Sequence, residues 1–89
     1  MSRYVIRYSS RARRALISTL PEIIAAAASE LITGELSENP QRLGKQLSEP
    51  LYPLYAARRG EYRVISRIQE DRHLIEILSI NHRRDAYRL

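Results

Sequence analysis

Residues 3–8 alternate. Tyr4, Ile6 and Tyr8 fall on one side of an extended chain, and Arg3, Val5 and Arg7 on the other. With β-branched and aromatic residues at these positions, the pattern predicts a strand over 4–8 with one face toward a core. Ser9 or Ser10 then offers an N-cap, which predicts a helix through about residue 19. Pro21 suits the first turn of a second helix, where its missing N–H is not needed. Leu16, Leu20, Ile23, Ala27 and Leu31 form an apolar stripe at helical spacing, and Gly34 is the expected stop. Residues 36–50, with Asn39-Pro40, Gly44 and Pro50, read as loop. Beyond Pro53 the pattern predicts strands over about 54–58, 62–68 and 74–80. The turn signals between them are Arg59-Gly60-Glu61 and Gln69-Glu70-Asp71-Arg72. The last strand is nearly all apolar, which marks it as interior to the sheet. The stretch after Asn81 reads as a tail or short helix. The order is β-α-α-β-β-β: an α+β fold, with a small antiparallel-rich sheet and an N-terminal helical hairpin packed on one face.

Charge adds a direction to this outline. The chain has 89 residues, 15 Lys and Arg against 10 Asp and Glu, and a net charge of +5. Lys45 is the only lysine; every other basic residue is Arg. Guanidinium groups offer planar, bidentate recognition of phosphate or carboxylate; Arg-rich codon usage in a GC-rich genome is the alternative cause. The signs are segregated. Residues 1–21 carry five Arg and no acid, and residues 22–40 carry four Glu and no base. Arg3, Arg7, Arg63 and Arg67 recur in strands, on faces that the helices would leave uncovered. Together they describe a basic sheet face or, equally, an ordinary solvated one.

Cysteine is absent, which excludes disulfides, thiol nucleophiles and cysteine metal sites. The two histidines fall short of the three or four ligands a zinc site needs. The start of the chain leads into no apolar signal core. The longest apolar run, residues 23–28, is too short to span a bilayer. The expected location is the cytoplasm.

Two motifs carry the chemistry. One is Ala57-Arg58-Arg59-Gly60-Glu61-Tyr62-Arg63-Val64-Ile65, and the other is Asn81-His82-Arg83-Arg84-Asp85-Ala86-Tyr87-Arg88. Arginine binds phosphate, while tyrosine and histidine move protons or stack on bases. Such a set suits RNA phosphodiesters and needs neither metal nor cofactor. His82 has the better intrinsic pKa for a base, near 6.5; its other role is an exposed residue closing the last strand. Tyr52 and Tyr55 are open to base stacking or loop packing, Tyr62 reads as a packed strand residue, and His73 reads as surface.

These motifs, the Leu43-Gly44-Lys45-Gln46-Leu47 segment and the order of elements resemble the RelE branch of the RelE/ParE toxin superfamily. The resemblance covers essentially the whole chain, read as a single RelE-like domain over 1–89. It implies the toxin of a type II toxin–antitoxin pair: a metal-independent, cofactor-free endoribonuclease acting on mRNA, typically in the ribosomal A site, and restrained by a RelB-like antitoxin in a hetero-oligomer. In the implied reaction the ribose 2′-OH attacks the adjacent phosphate, leaving a cyclic phosphate and a 5′-OH. Residue by residue, Arg63 matches the arginine that stabilises charge on the phosphate. Arg83 matches the one that protonates or neutralises the leaving oxygen. Tyr87 matches a general base or stacking group, with His82 its rival. Arg58 matches a basic residue near the RNA backbone, and Arg59, Lys45 and Arg67 complete the RNA-binding candidates. Some members carry two lysines where this chain has Leu54 and Ala56, and Arg59 or His82 is the expected compensation. Two other readings stand beside this one: a ParE-like toxin acting on a topoisomerase, and a catalytically degenerate member that binds RNA, a ribosome or an antitoxin.

Overall fold

The computed structural model describes residues 3–82. Arg83, Tyr87 and the rest of the expected C-terminal tail lie outside the described residues. Strand β1 (Val5–Tyr8) leads into helix α1 (Ser10–Arg14), which runs on in wider, π-type turns over Ala15–Thr19. Helix α2 (Glu22–Leu31) likewise continues over Ile32–Leu36. A short helix α3 (Pro40–Leu43) and a two-residue strand β2 (Lys45–Gln46) come next. Strands β3 (Tyr55–Arg59), β4 (Tyr62–Gln69) and β5 (Leu74–His82) complete the sheet. The strand order is β1-β5-β4-β3-β2, with β1 parallel to β5 and every other pair antiparallel. The expected α+β layout therefore holds, with β5 interior between β1 and β4.

Ser9 begins the helical layer. Its hydroxyl accepts from the Ala12 N–H at 3.0 Å and donates to the Leu78 carbonyl at 2.7 Å. One residue thus caps α1 and ties it to β5. The core lies between helices and sheet, with Ala12, Ala28, Leu31, Ile32 and Leu36 facing Ala57, Val64, Ile75, Ile77 and Ile80. Ile6 and Tyr8 pack against the same cluster, as the alternation in β1 requires.

Three expectations need correction. Gly34 does not stop the second helix. Its backbone departs from helical values (φ −98°, ψ −106°), yet the chain stays coiled through Leu36. Ser37 completes that turn by donating to the Thr33 and Gly34 carbonyls, at 2.9 and 2.8 Å. The apolar stripe is displaced in part: Leu31 is buried as expected, but Ile23 is 82% exposed and Ala28 and Ile32 are buried in its place. The wide turns before Leu20 and the break at Pro21 reset the helical phase, so a stripe projected from Leu16 points the wrong way. Finally, the expected loop over 36–50 holds α3 and β2. Gly44 lets β2 approach: a Cβ there would lie 3.1 Å from the Pro40 carbonyl oxygen and 3.5 Å from that of Ala56.

His73, read as surface, is half-buried and stacks on Tyr4, with ring centroids 3.9 Å apart. The Tyr4 hydroxyl donates to Glu70 at 2.8 Å. That hydrogen bond, then burial and the carboxylate's charge, hold the phenol above its usual pKa. Tyr4 thus remains a donor through the neutral range, pinning the start of β1 to the β4–β5 turn.

A candidate phosphate-binding face

The turn between β3 and β4 sets the register on which the site depends. Gly60 takes a left-handed φ of 60°, a conformation glycine adopts without steric cost. The two-residue turn puts Arg59 opposite Tyr62, Arg58 opposite Arg63, and Ala57 opposite Val64. Ala57 and Val64 belong to the core, so alternation turns Arg58 and Arg63 to the face away from the helices. Ala56 is the register partner of Lys45 on β2. Leu43, Lys45, Leu47, Ala56, Arg58 and Arg63 line one depression of about 480 Å³.

The same face holds a contrasting row. Arg7 and Arg67 flank Glu76, in register from β1 and β4. Arg67 approaches the Glu76 carboxylate at 3.9 Å. The basic sheet face is therefore not uniform. Its Arg7–Glu76–Arg67 row contains its own counter-charge, and Arg3 leans off to Glu38, at 3.0 Å. Among the described residues, Lys45, Arg58 and Arg63 have no ion-pair partner. Like charges directly opposite on a sheet are destabilising. The Arg58–Arg63 pair thus carries a local cost that a bound anion would remove. Nor is the face wholly open, since Ile65, between Arg63 and Arg67 on β4, is 1% exposed.

Arg59 and His82 lie elsewhere. Arg59 follows Ala57 by alternation and belongs to the helix side, where it meets Glu35 at 3.9 Å. There it borders a largely apolar cavity of about 230 Å³ with Ile24, Ala28, Tyr62 and Ile80. His82 is the register partner of Tyr62 and meets its ring edge-on, at 5.5 Å between centroids. Its Nε2 is 3.8 Å from Glu61. The cause is a bulge in β5. Ser79 pairs with Ile65, but Ile77 pairs with Ser66, so Leu78 is an extra residue and the faces exchange. Neither Arg59 nor His82 shares the face of Arg63, the face on which Ala56 lies. Leu54 itself is 6% exposed.

Asn81, in register with Arg63, was not among the expected site residues. Its side-chain nitrogen is buried without a hydrogen-bond partner among the described residues. Such atoms are rare in folded proteins. The signal available in the sequence was only its place at the head of the second motif. Tyr52 is exposed, and Tyr55 and Tyr62 are half-buried. Among the described residues no three His, Cys, Asp or Glu cluster to hold a metal, and no helix is long and apolar enough to cross a membrane.

The sequence and the fold, a five-stranded sheet with helices packed on one face, match a known group of toxins. The family described as ParE toxin of type II toxin–antitoxin system matches residues 2–87. The chain is 41% identical to Toxin RelG of Mycobacterium tuberculosis over 85 residues, covering 96% of this chain and 97% of that protein. It is 44% identical to Toxin RelE of the same organism over 86 residues, covering 97% and 88%. Among solved structures, the toxin–antitoxin complex RelBE2 from M. tuberculosis aligns with a TM-score of 0.86 at 40% identity, over 92% of this chain and 93% of that one. The isolated E. coli RelE toxin aligns at 0.71 and 14% identity, over 89% and 83%, a likeness of fold. The chain belongs to the RelE/ParE family of type II toxins, on its RelE-like branch.

Proposed function

We propose that this toxin is a cytoplasmic, metal-independent endoribonuclease that cuts mRNA in the ribosomal A site and is neutralised by a RelB-like antitoxin. The observation that carries the reading is the Arg58–Arg63 pair, two guanidinium groups in register and without counter-charge among the described residues. A backbone phosphate between them would accept hydrogen bonds from both and relieve their repulsion. In the proposed reaction the 2′-OH attacks phosphorus and gives up its proton to Tyr87. The P–O5′ bond breaks, Arg63 neutralises the non-bridging oxygens, and Arg83 neutralises the departing O5′, which takes a proton from solvent to become the 5′-OH. The products are a 2′,3′-cyclic phosphate and a 5′-OH. Asn81, in register with Arg63, would orient it through its side-chain Oδ1, which can accept from the guanidinium. The ParE-like alternative takes support from the description of the matched family; the unneutralised cations and the relatives named RelE and RelG favour RNA.

The experiment is expression of the chain alone and together with an antitoxin. Expressed alone, it should arrest growth with loss of intact mRNA. Co-expression with an acidic, amphipathic antitoxin should restore growth. Salt should slow association of the purified pair, because steering by net charge is screened. Growth arrest with intact mRNA and inhibited topoisomerase would move the chain to the ParE-like reading.

The faces of the sheet give a further expectation. His82→Ala and Arg59→Ala, both on the helix side, should leave cleavage of RNA near the wild-type rate. Arg58→Ala should weaken RNA binding. Initial rates on one RNA substrate check all three; a collapse with His82→Ala would return the base role to that residue.

A further inference from the structure

We infer that Lys45 is a catalytic residue, whose ammonium neutralises the charge that builds on the phosphorus oxygens during attack. The inference rests on the ribonuclease reading above and adds a group to its site. Lys45 is the chain's only lysine and stands on the shortest strand of the sheet. That strand is closely held. Gly44 donates to the Pro40 carbonyl at 3.0 Å, and Leu47 donates to the Leu54 carbonyl at 2.8 Å. With no Cβ at Gly44, β2 can lie against β3 and bring Lys45 into register with Ala56.

The consequence is geometric. Arg58 is two residues beyond Ala56 on the same strand and face, so Lys45 and Arg58 are diagonal cross-strand neighbours. Such neighbours lie about 7–8 Å apart, within reach of long side chains. Ala56 contributes only a methyl group between them, and the depression bordered by Lys45, Arg58 and Arg63 opens there. A phosphate gripped by the two arginines from one side would present its remaining oxygens toward Lys45. The phosphorane formed by attack carries one more negative charge than the phosphodiester. Lys45 gains most at that moment, and a group that gains in the transition state raises kcat. A compact charge on a flexible four-carbon stem can adjust to this change, whereas the planar arginine fork favours a fixed oxygen pair.

The test is steady-state cleavage by Lys45→Met, Lys45→Arg and the relocated pair Lys45→Met/Ala56→Lys, with melting curves confirming that each is folded. Lys45→Met should lower kcat about 10²-fold, the usual scale for loss of one transition-state donor, with little change in KM. Lys45→Arg should retain an intermediate rate. Moving the lysine across the strand pair to position 56 should restore much of kcat. A raised KM with unchanged kcat would make Lys45 an RNA-binding residue only and overturn the assignment. So would full activity in Lys45→Met. Either outcome, alongside an active wild type and an inactive Arg63→Ala, sinks this inference alone. A wild-type chain that never cuts RNA sinks the ribonuclease reading with it.

Discussion

Arg63→Ala is expected to reduce RNA cleavage about 10²–10³-fold, the cost of removing one transition-state donor. It should not unfold the protein. Arg63 lies on the sheet face away from the core, and its nearest cross-strand neighbour in register on β3 is another cation, Arg58. Removing one of two facing like charges relieves a repulsion while giving up some strand propensity, and each effect is within about 1 kcal/mol. The variant should therefore melt close to the wild-type temperature while losing its activity. Inorganic phosphate should stabilise the wild type, because a ligand that binds only the native state raises its stability. The variant should lose that response. Arg63→Lys should also be poor, since the two-pronged contact is lost although the charge remains. Rates and melting temperatures of the two variants check this together. A well-folded Arg63→Ala protein with full activity would remove Arg63 from the site.

Tyr87→Phe is expected to cost about 10²–10⁴ in rate if the phenol removes the 2′-OH proton. The assignment rests on the second motif, since Tyr87 lies outside the described residues. Chemistry narrows the choice. A tyrosine at its reference pKa of about 10 is almost wholly protonated at neutral pH and needs cations to serve as a base. In the proposed site the cations would be Lys45 and Arg58, which line one depression with Arg63. Other tyrosines are worse suited. Tyr4 is held above its usual pKa by its bond to Glu70, and Tyr8 by burial. Tyr62 faces the helix side with His82. Phenylalanine keeps the ring and deletes only the hydroxyl, so comparing rates for Phe and Ala at position 87 separates proton transfer from stacking. A near-silent Phe with a damaging Ala would leave Tyr87 a stacking group.

Part of this site was legible before the structure, for specific reasons. Arg59-Gly60-Glu61 announced a tight turn between two strands. The register did not follow, because a turn over all three residues would set Arg58 opposite Tyr62, whereas the two-residue turn Gly60-Glu61 sets it opposite Arg63. Nor did the side on which His82 lies. Residues 74–80 are apolar on both faces, so alternation there carries no parity, and the bulge at Leu78 exchanges the faces just before His82. Without that extra residue, His82 would share the face of Arg63. Strand β2 was hidden for another reason. Two residues have no period to detect, and their pairing depends on the space left by Gly44. The division of the basic face into a row that holds a carboxylate and a row without one required the register, since Glu76 gives no sign in sequence that it pairs in register with both Arg7 and Arg67.

The central claim is that this fold turns an unneutralised arginine pair on RNA and lets the RNA's own hydroxyl cut the chain. The ends of the cleaved RNA test it most directly, with intact ribosomes present as the platform. The reaction should give fragments bearing a 2′,3′-cyclic phosphate or its 3′-phosphate hydrolysis product, each paired with a 5′-OH. Cleavage should persist when excess chelator is added to ribosomes that remain assembled. Fragments ending in 3′-OH and 5′-phosphate would contradict the account, because water or a metal-bound hydroxide would then be the nucleophile in place of the ribose.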